Sequence, residues 1–336
     1  MTPSLDVSAI IPVHNGAHHV GRAFASVLDQ TRLPSEVIVV DDGSIDDSAA
    51  EIAAIAESSP VPVIVVSHAN VGQSASRNAA AAVASGQLLA FLDQDDLWRP
   101  RHVERLAAPF TTDPDLGWTY SDFDEIDADG LIVTRNFMRA VGADTPRTTV
   151  TDIIQRDGMV LPSASIIRAS AFRQVDGFDS RLRGYEDDDL FLRVFRAGWT
   201  SRFTPESLTV FRVHANSSST RSIFRDSRMT YFAKVAESLP DDVRLNRYYV
   251  SDLLRPRMLN STLFEYSVAL NLGHHDEARS IAATLSTLLE SAAPGRRRHA
   301  ALFVLRRPRL ARFLLGIHAR VPRRLRPRIP PVLAPR

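Results

Sequence analysis

Residues 88–96 read LLAFLDQDD, five apolar residues running without a break into three carboxylates within four positions. An apolar run this short, bounded by polar residues, reads as a strand buried on both faces. The acids at its end repel one another, and each costs free energy if even partly desolvated. The same construction recurs upstream. VSAIIPV (7–13) stops at His14-Asn15-Gly16, VIVV (37–40) runs into Asp41-Asp42-Gly43-Ser44, and VPVIVV (61–66) is followed by Asn70. Between these runs, apolar residues from Val20 to Leu28 recur at helical spacing, and residues 46–57 and 74–85 read as two further helices. Strands alternating with helices predict βαβ crossovers and a parallel sheet covered on both faces. Ligands of such sheets bind beyond the carboxyl ends of the strands. One acidic strand end alone is better read as a helix cap, but four polar ends on one sheet edge point to a site.

Further along, residues 117–130 are strand-like, residues 189–198 read as a helix stopped by Gly198, and LTVFRVH (208–214) reads as a strand ending at His214. From Arg221 the periodicity is helical, over roughly 221–238, 243–272 with a break at Pro256, and 276–290. The expected organisation is a catalytic domain at 1–220, a helical extension at 221–295 and a basic Arg/Pro-rich tail at 296–336.

The net charge of +1 over 336 residues hides an asymmetry. Residues 296–336 hold 13 arginines and no acid, which leaves 27 basic against 39 acidic groups, net −12, on the rest. The chain has no cysteine, so disulfide and thiolate chemistry are excluded, and a reducing compartment suits it. The N-terminus lacks a basic segment followed by an apolar one, and no apolar run approaches about 18 residues. The expected location is therefore cytoplasmic, peripheral at the inner face of the membrane if the tail anchors there. Residues 299–320 interleave Leu302, Phe303, Leu305, Leu310, Phe313, Leu314 and Ile317 with arginines, the pattern of a segment lying on an anionic bilayer. Docking on the acidic front of the chain is the alternative. Nucleic acid is disfavoured because no binding motif accompanies the charge.

Three carboxylates at 93–96 suit a hard divalent cation, Mg²⁺ or Mn²⁺, which bridges protein oxygens to phosphates. The absence of GxxxxGK[ST] excludes a Walker-type ATPase, and the absence of GxGxxG after the first strand argues against a dinucleotide fold. Arg77 is either a bidentate phosphate contact or a solvated first-turn residue. In the acidic run 186–189, Asp188 and Asp189 read as helix capping and dipole complement. Glu186 and Asp187 fall in the loop ahead of the helix, where a carboxylate could serve as general base. His214 could donate to a phosphate or ligate the metal.

Together SAIIPVHNG, VLDQT, EVIVVDDGSIDDS, NVGQSASRNAA, GQLLAFLDQDDLWRP, GFDSRLRGYEDDDLFLRVFRAG and RVH resemble the family 2 glycosyltransferases, in order and spacing, over roughly residues 6–214. The resemblance implies the glycosyltransferase A fold, an α/β architecture with a mostly parallel central sheet flanked by helices, here followed by a C-terminal helical extension. It further implies an inverting sugar transfer from a nucleotide-diphosphate donor, a UDP-sugar, to a hydroxyl on a glycan or lipid-linked acceptor in envelope or polysaccharide synthesis. Carried over position by position, it gives Pro12, Val13, His14, Asn15 and Asp42 to the nucleotide base and Arg77 to the base or diphosphate. Asp93 falls near the ribose or donor sugar, Asp95 is the metal ligand, His214 lies near metal and diphosphate, and Asp187 is the general base. Ser163, Ser165 and Glu186 are candidates for acceptor contact. His14 stands where the family commonly has tyrosine. The rival readings are a nucleotidyltransferase, which would want a Gly-rich basic loop after its first strand, and a non-catalytic scaffold, which would be expected to lose Asp95 or Asp187.

Overall fold

The β-branched run Val7–Val13 forms β1, buried along its whole length, and the computed structural model builds a nine-stranded sheet around it. The structure describes residues 5–143, 145–156, 160–213, 222–292, 295–305, 307 and 310–311. The chain divides into two units, Met1–Ile153 with Gly158–Ser227, and Ile154–Asp157 with Arg228–Arg336.

In the first unit β1 is followed by α1 (Ala17–Leu28), β2 (Glu36–Asp42), α2 (Ser48–Ser58), β3 (Val63–His68), α3 (Gln73–Val83) and β4 (Leu88–Phe91). The four strands pair in parallel in the order β3-β2-β1-β4, as the alternating pattern predicts. Their carboxyl ends, at His68, Asp42, Val13 and Phe91, therefore share one edge. Val20, Ala23, Phe24 and Val27 turn one face of α1 onto the sheet, and Ala80 and Ala81 do so for α3 on the opposite face.

Beyond β4 the sheet becomes mixed. The chain continues through β5 (Leu97–Trp98), α4 (His102–Ala107), β6 (Leu116–Ile126), β7 (Ile132–Thr134), α5 (Phe137–Ala140), α6 (Val150–Gln155), β8 (Ser165–Arg168), α7 (Ala169–Gln174), α8 (Glu186–Arg196) and β9 (Thr200–Arg212). The order continues β4-β8-β6-β9-β5, with β8 antiparallel to both neighbours and β7 paired on β6. β9 begins eight residues before the strand read at 208–214, because Pro205 and Glu206 disguise its first half. Ser121 pairs Thr204 and Asp122 pairs Ser207, so those two residues sit in a bulge where proline breaks no ladder bond.

Among the described residues the chain continues through helices α9 (Ser222–Ser238), α10 (Arg255–Leu272), α11 (His275–Glu290) and α12 (Arg296–Leu305). A π-helical turn over Tyr249–Leu254 runs directly into α10, and Pro256 sits at that junction, in the first turn of α10. Within the second unit, buried Arg228 donates to Thr262 Oγ1 (2.9 Å) and Glu265 Oε1 (2.5 Å), tying α9 to α10. Most of the basic tail lies outside the described residues, and so does His214.

Candidate active site

The shared edge of the parallel strands is knitted together by side chains from each loop. The amide of His14 donates to Gln94 Oε1 (2.8 Å) and Gln94 Nε2 returns to the His14 carbonyl (3.3 Å), coupling the end of β1 to the acidic turn after β4. The His14 ring meets the Asp42 carbonyl (2.9 Å) and Asn70 Nδ2 (3.1 Å). Asn15, at φ 51°, accepts from the Ile45 amide (2.9 Å), while its own amide donates to Ser44 Oγ (3.0 Å). Pro12 and Val13 are buried in β1, and His14 and Asn15 are exposed.

Asp42 is buried and both its oxygens are engaged, by the amides of Val71 (2.7 Å) and Gly72 (2.9 Å). Its first task is to close the loop that leads into α3. Gly43 (φ +69°) makes the turn beside it, where an added Cβ would lie 2.7 Å from the Asn70 amide nitrogen. We expect Gly43→Ala to cost about 1–3 kcal/mol, from strain in a left-handed backbone plus that collision. Urea denaturation measures it, and an unchanged midpoint would mean that the 68–71 loop yields freely.

The acidic turn closes by a bond from the Asp96 amide to the Asp93 carbonyl (3.0 Å). Its three carboxylates do not converge on one ligand. Asp96 points inward, 1 % exposed, and its Oδ1 accepts the Arg212 amide (3.0 Å). Burial, then the charges of Asp95 and Asp93, push the Asp96 carboxyl well above the ordinary carboxylate range. Asp93 accepts from Gln73 Nε2 (2.9 Å) and from Arg77 (2.5 Å), and its amide donates to Ser163 Oγ (3.0 Å). Asp95 is half-buried, and its carbonyl accepts Arg212 Nε (3.1 Å).

Arg77 is neither solvated nor turned to an open phosphate position. It is 1 % exposed, lies over the Phe178 ring (5.2 Å), and bonds Asp93 with one nitrogen and Glu186 with the other (3.1 Å). Burial opposes its charge, but the two carboxylates outweigh that and raise its pKa. Glu186, read from sequence as a loop residue open to an acceptor, is thus committed to Arg77. It and Asp187 belong to α8, not to the loop before it. Tyr185 at φ 63° turns the chain, and the four acids of 186–189 fill the first helical turn, where the dipole favours them. The Asp187 carboxylate accepts the Asp188 amide (2.8 Å), and desolvation, then Glu186 and Asp188, push its pKa well above the ordinary range.

Ser163 and Ser165, expected on the acceptor side, are 1 % and 2 % exposed. Ser163 accepts the Asp93 amide, and Ser165 donates to the Pro162 carbonyl (3.1 Å). They brace the acidic turn and its neighbour rather than facing solvent. Gln73, Gln94 and Arg212 carry the framework and were not singled out by the sequence. Each nevertheless falls inside a stretch that carries the resemblance, Gln73 in NVGQSASRNAA, Gln94 in GQLLAFLDQDDLWRP and Arg212 in RVH.

No group of three or more acids and histidines forms a ready metal cluster among the described residues. The donor set nevertheless suits a hard cation. Asp95, half-buried in that turn, offers hard carboxylate oxygens of the kind Mg²⁺ and Mn²⁺ take.

Residues 8–166 match the family model described as glycosyl transferase family 2. Chondroitin synthase of Pasteurella multocida is 28 % identical over 192 residues, 57 % of this chain and 19 % of that protein. Among solved structures, S. aureus TarS 1–349 in complex with UDP-GlcNAc superposes with a TM-score of 0.63 at 17 % identity, covering 92 % of this chain and 88 % of that one. The mannosyltransferase PcManGT of Pyrobaculum calidifontis, in complex with GDP-Man and Mn²⁺, does so with a TM-score of 0.59 at 16 % identity, over 95 % and 89 %. These likenesses are of fold. The chain spans about a third or less of the length of the first curated relatives it matches.

Proposed function

We propose that this chain, whose residues 8–166 match the family 2 glycosyltransferase model, moves a sugar from a UDP-sugar to a hydroxyl acceptor with inversion, in cell-envelope or other polysaccharide synthesis. The observation that carries this reading is the Arg77 fork. By gripping Asp93 and Glu186 together it keeps the first turn of α8, and with it Asp187, beside the acidic turn.

In the proposed reaction the Asp187 carboxylate takes the acceptor's hydroxyl proton. The acceptor oxygen bonds to the anomeric carbon as the bond to the diphosphate breaks, and the leaving group departs with the electron pair. Asp95, with His214 outside the described residues, would hold a divalent cation, Mn²⁺ or Mg²⁺, whose Lewis acidity neutralises charge on the leaving diphosphate. His14, Asn15 and Asp42 line the strand ends on the side assigned to the nucleotide, with Pro12 and Val13 behind them. The donors named for the two structural neighbours, a UDP-sugar and a GDP-sugar, support a nucleotide-sugar donor, and the lean to uridine rests on the sequence resemblance.

Thermal stabilisation by a panel of nucleoside diphosphates and their sugars, with and without Mn²⁺, tests the donor assignment. The anomeric configuration of the product tests inversion. We expect Asp95→Ala to abolish Mn²⁺-dependent stabilisation by UDP and leave the fold intact. Without metal the variant should melt at or above the wild-type temperature, because one of three mutually repelling acids is gone. Unchanged Mn²⁺-dependent affinity for UDP would overturn the assignment.

A further inference from the structure

Tyr185, from which α8 departs, holds a left-handed backbone at φ 63° and ψ 10° while only 4 % exposed. Glycine and asparagine take that conformation readily. A bulky aromatic residue takes it only where the surrounding contacts offset the strain. The turn also aims the helix. The Tyr185 carbonyl accepts the Asp189 amide (3.0 Å), the opening bond of α8, so the direction in which Glu186 and Asp187 leave is set here.

Two elements distant in sequence hold this turn. From α3, Ser74 Oγ donates to the Leu182 carbonyl (3.0 Å), and Arg77 on the same helix grips Glu186. The second element is the opening of α9, whose residues up to Ser227 belong to the first unit. The Arg183 amide donates to buried Ser227 Oγ (3.0 Å), 44 positions along the chain. One turn earlier on α9, the Phe224 ring lies 4.7 Å from the Tyr185 ring, tilted by 34°. Gly184 sits against the same ring, where an added Cβ would run into Phe224. Glycine is needed there for close approach.

We propose that Phe224 is a positioning residue for sugar transfer: closing on Gly184 and Tyr185, its ring holds the strained turn that seats Asp187. The inference rests on the reading of Asp187 as general base. Phe224 acts through the turn and not on the substrate. Filling the core would account for an aromatic ring at this place. It would not account for a glycine cleared for that ring, a left-handed tyrosine against it and a hydrogen bond to the preceding amide, all converging on the turn before the base. Displacing a reacting group by about 1 Å costs on the order of 10²-fold in rate, so a loosened turn has a kinetic signature.

The probe is hydrolysis of the nucleotide sugar that stabilises the wild type, with water as acceptor, at a temperature where each variant is folded. Phe224→Ala should lower kcat by roughly 10–100-fold and leave the donor KM within about twofold. Phe224→Tyr keeps the ring and should recover most of the rate. Phe224→Leu keeps apolar bulk without a flat face and should recover melting temperature more than rate. In an Asp187→Asn background, Phe224→Ala should cost less than about twofold more, because the ring acts through that carboxylate. Hydrogen exchange supplies a readout without substrate. In Phe224→Ala the Asp189 amide should exchange faster while that of Ala197, bonded to the Arg193 carbonyl at the far end of α8, holds its rate. A general loss of stability would move both. Should Phe224→Ala fail to fold, the comparison of leucine with tyrosine carries the test. The proposal is overturned if kcat is kept, if the loss falls on the donor KM, if leucine restores the rate as fully as tyrosine, or if the Asp187→Asn background leaves the loss undiminished. Asp187→Asn alone separates the two readings. Lost transfer there with kcat kept in Phe224→Ala removes only the role of Phe224, whereas transfer kept in Asp187→Asn removes the base assignment and this proposal with it.

Discussion

Asp187→Asn is expected to keep donor binding and lose sugar transfer by roughly 10²–10⁴-fold, the range for removing a general base. Asparagine preserves the volume and can still accept the Asp188 amide through its carbonyl oxygen, so the first turn of α8 survives. Only the proton acceptor is lost. The measurement is single-turnover transfer beside isothermal titration with the donor. Transfer within a few-fold of wild type would move the base elsewhere. Glu186 is poorly suited to replace it, because its carboxylate is already held by Arg77.

The environment of Asp187 also sets a pH signature. Desolvation first, then the neighbouring charges of Glu186 and Asp188, raise its pKa above the ordinary carboxylate range, with Arg77 pulling the other way. A base acts ionised, so transfer should rise with pH through that raised value and fail at a higher pH than an ordinary aspartate would give. Stability runs in the opposite sense. The folded state holds this proton more tightly than the unfolded chain, so the contribution is lost as pH climbs from the ordinary range through the raised value. Asp187→Asn should therefore be more stable than wild type at neutral pH, with the difference vanishing in acid below the ordinary carboxylate range.

The parallel half of the sheet was legible because each of its strands is a continuous apolar run ended by polar residues, and only a sheet covered on both faces asks for that. The second half was not, because its strands are short or interrupted. β5 is two residues long, β8 is four, and β9 hides its first half behind Pro205 in a bulge. The acids of the site could be seen, but not their partners. Asp93 and Arg77 are 16 residues apart and Arg77 and Glu186 are 109 apart, and no local pattern pairs them. A buried arginine is visible in sequence only as an arginine in an otherwise small-residue helix, SASRNAAAAV, where nothing else competes to explain it. The expectation that Asp93, Asp95 and Asp96 share one cation missed that Asp96 faces the backbone of β9, because the turn after β4 alternates its side chains between cleft and core.

Arg77→Met is expected to destabilise the first unit by about 3–5 kcal/mol, because it leaves two poorly solvated carboxylates facing each other without their cation. Against a total stability of roughly 5–15 kcal/mol for a typical domain, that loss threatens folding at physiological temperature. Arg77→Lys separates charge from geometry. Lysine restores a positive charge, but its single ammonium cannot span Asp93 and Glu186 as the planar fork does. It should recover part of the stability while transfer stays low, since Asp187 is no longer seated relative to the acidic turn. Urea denaturation with matched transfer assays makes the comparison, with Asp93→Asn in the Arg77→Met background as the closing corner. Removing one of the two stranded carboxylates should restore some stability to Arg77→Met, whereas Asp93→Asn alone should cost stability. Simple additivity across that cycle would mean that Arg77 acts by packing on Phe178 and not as the cation of the acidic cluster.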